Sequence, residues 1–119
     1  MAAVVPYLIR AYCDWIEDSK LTPHVLVNAT ISGVLAPDGI ANEGKIVLNI
    51  GSSATEGRVI TNKAISFKAR FNGKSEKVSI PCNAVLSIYA KENGEGMFFD
   101  AKIDLADEKK QKPTLTILD

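Results

Sequence analysis

The chain has 119 residues, 46% of them hydrophobic, with 14 Lys+Arg balanced by 14 Asp+Glu. That length supports one domain with a core of its own, without metal or disulfide staples. The balanced charge excludes a global positive field of the kind that clamps nucleic acid. Cys13 and Cys82 belong to no CxxC pair and to no cluster with histidine at metal-ligand spacing, so both are expected to be reduced structural thiols and no cofactor is expected. Met1 to Arg10 lacks the basic leader of a signal peptide, and the run Cys13 to Asp18 is too polar to span a membrane, so the expected location is the cytoplasm. Without secretion, the Asn28-Ala-Thr30 sequon reads as an ordinary strand asparagine.

The first element is predicted as a helix over Pro6 to Asp18. Val4, Leu8, Ala11, Tyr12, Trp15 and Ile16 recur at three- and four-residue steps, and Pro6 suits a first turn. Leu21-Thr-Pro23 ends this region, because the residue before a proline leaves helical backbone space. His24 to Thr30 then reads as a strand. Lys45 to Ile50, Arg58 to Ile60, Ile65 to Phe71 and Glu76 to Ile80 follow as short β-type runs, punctuated by Pro37-Asp-Gly39, Asn42-Glu-Gly44, Gly51-Ser-Ser53 and Asn72-Gly73. In one run Ile65, Phe67, Ala69 and Phe71 alternate with Ser66, Lys68 and Arg70, and the Asn72-Gly73 that follows is a strong hairpin signal. Pro81 with Ala84, Val85, Ile88 and Tyr89 at helical spacing predicts a short second helix, stopped at Asn93-Gly94.

After Met97-Phe-Phe99 the chain turns charged, from Asp100 to Lys112, and then apolar again in Pro113-Thr-Leu-Thr-Ile-Leu-Asp119. The expected organisation is a folded domain over 1–100, a solvated linker over 101–112 and a tail over 113–119. Leu115 and Ile117 sit at strand spacing. The tail is therefore either a last strand that returns to the sheet or a tethered peptide that adds to a partner.

No catalytic constellation is present: no GxSxG, no HExxH, no phosphate-cradling glycine loop and no calcium loop. The isolated His24 has no convergent partner, so a hydrolase built on His24 with Cys13 or Cys82 has little support and no enzyme is expected. Gly94-Glu-Gly96 is not set in a strand-loop-helix context, which removes a dinucleotide site. The aromatic stripe Tyr7, Tyr12 and Trp15 serves either packing on the protein's own sheet or a twofold seam between two helices. A small β-barrel RNA-binding module is the alternative reading, resting on a local patch of Lys45, Arg58, Lys68, Arg70, Lys74 and Lys77.

Pro6-Tyr-Leu-Ile-Arg10 with Trp15, Leu21-Thr-Pro-His24, Gly44-Lys-Ile-Val-Leu-Asn-Ile50, Phe67-Lys-Ala-Arg-Phe71 and Ala84-Val-Leu-Ser-Ile-Tyr-Ala-Lys-Glu-Asn-Gly94 together resemble the stringent starvation protein B (SspB) family. The resemblance runs from about Pro6 to Phe99 in order and spacing, and Lys112 to Leu118 is similar to that family's C-terminal motif. It implies a mainly β fold, a small, strongly bent antiparallel sheet or partial barrel with an N-terminal helix through which two subunits pair. The implied role is an adaptor, not a protease. Such an adaptor binds the ssrA tag that tmRNA appends to proteins from stalled ribosomes and delivers them to the ClpXP protease.

Carried onto this chain, the resemblance implies a peptide groove involving Leu48, Ile50, Ser53, Ala54, Phe67, Ala69, Arg70 and Phe71. Small Ala54 and Ala69 would admit a peptide backbone, and Arg70 would pair with acidic tag residues. Tyr7, Leu8, Ala11, Tyr12 and Trp15 would form the homodimer seam. Pro113, Leu115, Ile117 and Leu118 would dock on the zinc-binding N-terminal domain of ClpX, so any zinc belongs to that partner. The chain departs from the family pattern in ending on Asp119 where a basic residue is common, and in a linker much shorter than the long acidic tails of other members. A dozen flexible residues span only ~20 Å, which makes delivery geometry tight.

Overall fold

The computed structural model describes residues 3–37 and 39–99. The expected linker and tail, including Pro113, Leu115, Ile117 and Leu118, lie outside the described residues.

Helix α1 runs Val5–Asp18. Pro6 at its start loses no intrahelical hydrogen bond, because the first N–H groups of a helix have no partner in any case. Ile9, Cys13 and Ile16 recur at helical spacing and are buried, so one stripe of the helix enters the core. The helix stops at Ser19, whose hydroxyl donates to the Trp15 carbonyl at 2.8 Å, and Lys20 then turns through a left-handed φ of 65°.

The strands are β1 (Pro23–Asn28), β2 (Lys45–Asn49), β3 (Glu56–Ile60), β4 (Ala64–Phe71), β5 (Lys74–Pro81), β6 (Val85–Ala90) and β7 (Gly96–Phe98). They form two antiparallel sheets, β2-β1-β6-β7 and β3-β4-β5, and neither closes into a barrel. Strict alternation in β1 buries Pro23, Val25 and Val27, and in β2 it buries Ile46 and Leu48. α1 packs on β1 and β6. In the second sheet the facing pairs Ile65–Ile80 and Phe67–Val78 are buried, and Ile65, Phe67, Val78 and Ile80 join the same hydrophobic core as the helix residues. Paired backbone hydrogen bonds between Leu35 and Ser79, at 2.8 and 2.9 Å, pin the long β1–β2 connection onto β5.

The Asn72-Gly73 hairpin forms as the sequence predicts: both residues take positive φ, 54° and 80°, the combination that matches the twist of the flanking strands. The expected second helix is corrected. Only Cys82–Ala84 forms one 3₁₀ turn, and Val85, Ile88 and Tyr89 belong to strand β6. A short apolar run with spacing one and four fits either element. Pairing decides it here, since β6 lies between β1 and β7 and buries Val85, Ser87, Ile88 and Ala90, a burial that suits an interior strand.

Candidate functional site

The predicted groove residues fall on β2, the 51–55 loop and β4, in three different settings. Leu48, Ile50 and Phe67 are core side chains, no more than 4% exposed, and they share one hydrophobic cluster. Ala69 and Phe71 are half-buried and pack against that cluster. Ser53 and Ala54 are exposed on the loop that joins β2 to β3, each of which is an edge strand of its sheet. Arg70 is exposed, lies on the opposite face of β4 from the phenylalanines, and donates a long bond to the Gly73 carbonyl at 3.4 Å.

Register explains what this arrangement leaves open. The ladder between β3 and β4 runs from Ile60–Ile65 to Glu56–Lys68, with a bulge between Glu56 and Val59, and stops there. β4 continues for three more residues, Ala69, Arg70 and Phe71, which pair with β5 on the other side. The chain enters β3 from the 51–55 loop, and beyond Lys68 no described strand pairs with that edge of β4. A strand edge left unpaired by the described residues can take an extended peptide as an added strand.

The loop itself is fastened. The Ile50 amide donates to the Pro23 carbonyl at 3.0 Å and the Ala54 amide to the Gly51 carbonyl at 3.0 Å, while the Gly51 amide donates to Asn49 Oδ1 at 2.8 Å. The Arg58 guanidinium donates to the Ile50 carbonyl at 2.7 Å and forms an ion pair with Glu17 Oε1 at 3.3 Å. Glu17 Oε2 in turn accepts the Ser52 amide. Burial alone would raise the Glu17 pKa, but the Ser52 amide and Arg58 outweigh it and hold the carboxyl below its ordinary 4.5. Glu17 and Arg58 are thus the positioning residues that sequence reading missed. They lie 41 residues apart, and neither carries a local signature.

This also corrects the expected basic patch, because Arg58 is spent on Glu17 and the Ile50 carbonyl. Lys68 and Lys77 do face each other directly across β4 and β5, and with Glu56 and Ser66 they border a depression of about 380 Å³. Lys45 lies in the other sheet, on β2.

The predicted seam on α1 is largely exposed. Tyr7 and Trp15 are each 48% accessible, Ala11 is exposed, and Leu8 and Tyr12 are half-buried against the core. Tyr12 and Trp15 meet edge to face with centroids 5.6 Å apart. Arg10 stacks over Tyr7 at 4.8 Å and donates to the Ile60 carbonyl at 3.1 Å and Asn62 Oδ1 at 2.8 Å. Asn62 donates back to the Tyr7 hydroxyl at 3.1 Å, so the helix is braced to the β3–β4 turn while its aromatic faces stay open.

Burial pushes the Cys13 thiol up to about 11 and raises Cys82 as well, so neither is a thiolate at neutral pH. His24 is half-buried on β1 beside Tyr89, 5.9 Å between ring centroids, with Nδ1 buried and unpaired. Burial lowers its pKa below the ordinary 6.5. Among the described residues no group of three or more His, Cys, Asp or Glu gathers as a metal site, and no helix is long and apolar enough to cross a membrane.

Comparison with known proteins agrees with the resemblance. The family model described as Stringent starvation protein B matches residues 3–116. The stringent starvation protein B homolog of Haemophilus influenzae is 45% identical over 108 residues, covering 91% of this chain and 71% of that protein. A family match over nearly the whole chain, together with that identity, establishes that this protein is a member of the stringent starvation protein B family.

Proposed function

We propose that this protein is an adaptor that binds the ssrA degradation tag of proteins from stalled ribosomes and delivers them to ClpXP by tethering to ClpX. The observation that carries the reading is the edge of β4 at Ala69–Phe71, unpaired among the described residues where the β3 ladder stops at Lys68. A tag segment laid along this edge would exchange backbone hydrogen bonds with β4, against the clamped 51–55 loop that carries Ser53 and Ala54. Ala69 and Phe71 would form the rim of such a groove, and the buried Leu48, Ile50 and Phe67 would back it from the core. Arg70, on the far face, would meet acidic tag residues only where the peptide leaves the strand edge.

The α1 face of Tyr7, Leu8, Ala11, Tyr12 and Trp15 is the proposed homodimer seam. The apolar tail Pro113, Leu115, Ile117 and Leu118 is the proposed ClpX-binding segment. Such an adaptor performs no covalent step: a weak tail contact raises the concentration of tagged substrate at the unfoldase, and two tails per dimer multiply the effect. The proposed location is the cytoplasm, where tagged chains and unfoldase meet.

The test is a titration of labelled ssrA-tag peptide with the full chain, beside a scrambled peptide. Selective binding that weakens at least tenfold in Ala69→Leu supports the reading. Equal affinity for both peptides overturns it. An RNA-binding alternative draws on the facing Lys68 and Lys77, since like charges directly opposite destabilise a sheet. It requires RNA affinity that falls steeply with salt, and absence of binding at low salt removes it.

A further inference from the structure

On the outer face of the β2-β1-β6-β7 sheet, opposite α1, exposed apolar side chains stand on the two edge strands, with half-buried Leu26 and the buried, polar Ser87 between them. Register places Val47, Leu26, Ser87 and Phe98 directly opposite one another across the four strands. Val47 is 53% and Phe98 79% exposed, although a strand Phe of this kind ordinarily seeks burial. Beside the row, Tyr89 faces Gly96, where the absence of a side chain opens a notch in a depression of about 290 Å³ that also touches Leu26, Met97 and Phe98. Glycine is obligatory there, because a Cβ at 96 would fall 2.0 Å from the Ile88 carbonyl oxygen. The far side of β7 is a sheet edge.

We propose that this face docks the protein's own C-terminal segment, Pro113 to Leu118. The chain leaves the described fold at Phe99, one residue beyond β7, and β7 is the edge of this same sheet. Fifteen residues separate Phe99 from Leu115, and a flexible chain of that length spans roughly 20 Å. The four strands are about 14 Å across from first to last, at ~4.8 Å per step, so the tail reaches any point of the row. Pro113-Thr-Leu-Thr-Ile-Leu118 alternates Thr114 and Thr116 with Leu115 and Ile117, the pattern of a strand with one apolar face, suited to the edge of β7 with its apolar side over Phe98. Tethering at this distance gives millimolar effective concentration, so a contact too weak to detect between separate molecules is populated within one chain. Insofar as the tail also engages ClpX, which rests on the proposed function, the two uses exclude each other, and the docked tail is the resting state.

The experiment places a nitroxide on Thr116→Cys in the full chain, with Cys13 and Cys82 left buried, and reads paramagnetic broadening of backbone amides. Docking predicts severalfold greater signal loss at Val47, Leu26 and Phe98 than at the Asn72-Gly73 turn, relieved by Leu115→Ser with Ile117→Ser in the labelled chain and by Phe98→Ser. Uniform broadening, or broadening indifferent to those substitutions, overturns the proposal. Broadening transferred to unlabelled chains in a mixture also overturns it, since the occupant is then a second copy. Tag-peptide binding measured on the same samples reports separately on the proposed function.

Discussion

At the scale of single residues, the Glu17–Arg58 pair governs whether the 51–55 loop is held in place. Removing the guanidinium frees the Ile50 carbonyl and leaves Glu17 without its counter-charge, so Arg58→Ala is expected to cost about 1–3 kcal/mol of stability and to weaken tag binding through loop disorder. Urea unfolding and peptide titration of the same variant check both. The pair also sets an acid response. The folded pKa of Glu17 lies below its ordinary value, so its contribution is complete above about pH 4.5 and is lost as pH falls through the lower folded value. His24 acts in the same direction at higher pH: burial lowers its folded pKa below 6.5, so protonation favours the unfolded chain and stability declines as pH drops below about 6.5. Melting temperature against pH should therefore fall in two stages on acidification, with His24→Gln flattening the upper stage and Glu17→Gln the lower. A profile unchanged in both variants would remove these groups from the account.

At the scale of elements, the chain was readable where pattern and pairing agree. The α1 stripe, the alternation of β4 and the Asn72-Gly73 turn each carry their own signal, and each forms as the residues predict. The helical spacing of Ala84, Val85, Ile88 and Tyr89 predicts a helix where β6 forms. What decides it is the position between β1 and β7, a long-range fact with no trace in the local run. The energetic consequence is that Ile88, fully buried in that interior strand, should lose about 2–5 kcal/mol on substitution by alanine, whereas half-exposed Val47→Ala should lose under about 1 kcal/mol. Comparable losses at both sites in chemical denaturation would contradict the placement of β6. The candidate groove was legible in part: Leu48, Ile50 and Phe67 were recognisable as apolar strand positions, but the edge at Ala69–Phe71, unpaired among the described residues, depends on where β3 stops pairing, and the clamp on the 51–55 loop joins residues 41 apart.

At the scale of the whole molecule, the proposed adaptor separates three surfaces: the groove at the edge of β4, the aromatic face of α1, and the tail. The separation makes their functions separable by mutation. Trp15→Ser with Tyr7→Ser should shift the protein toward monomer in sedimentation while leaving the peptide affinity of each chain within about twofold; a monomeric wild-type chain would contradict the seam. Leu115→Ala with Ile117→Ala should abolish accelerated delivery to ClpXP while tag affinity is retained.

The most direct measurement is fluorescence anisotropy of labelled ssrA-tag peptide titrated with the full chain, with a scrambled peptide and with the Ala69→Leu and Arg70→Gln variants. The account predicts binding selective for the authentic order, lost in Ala69→Leu on the inner face of β4 and at most moderately reduced in Arg70→Gln on the outer face. Equal binding of both peptides, or undiminished binding by Ala69→Leu, would contradict it.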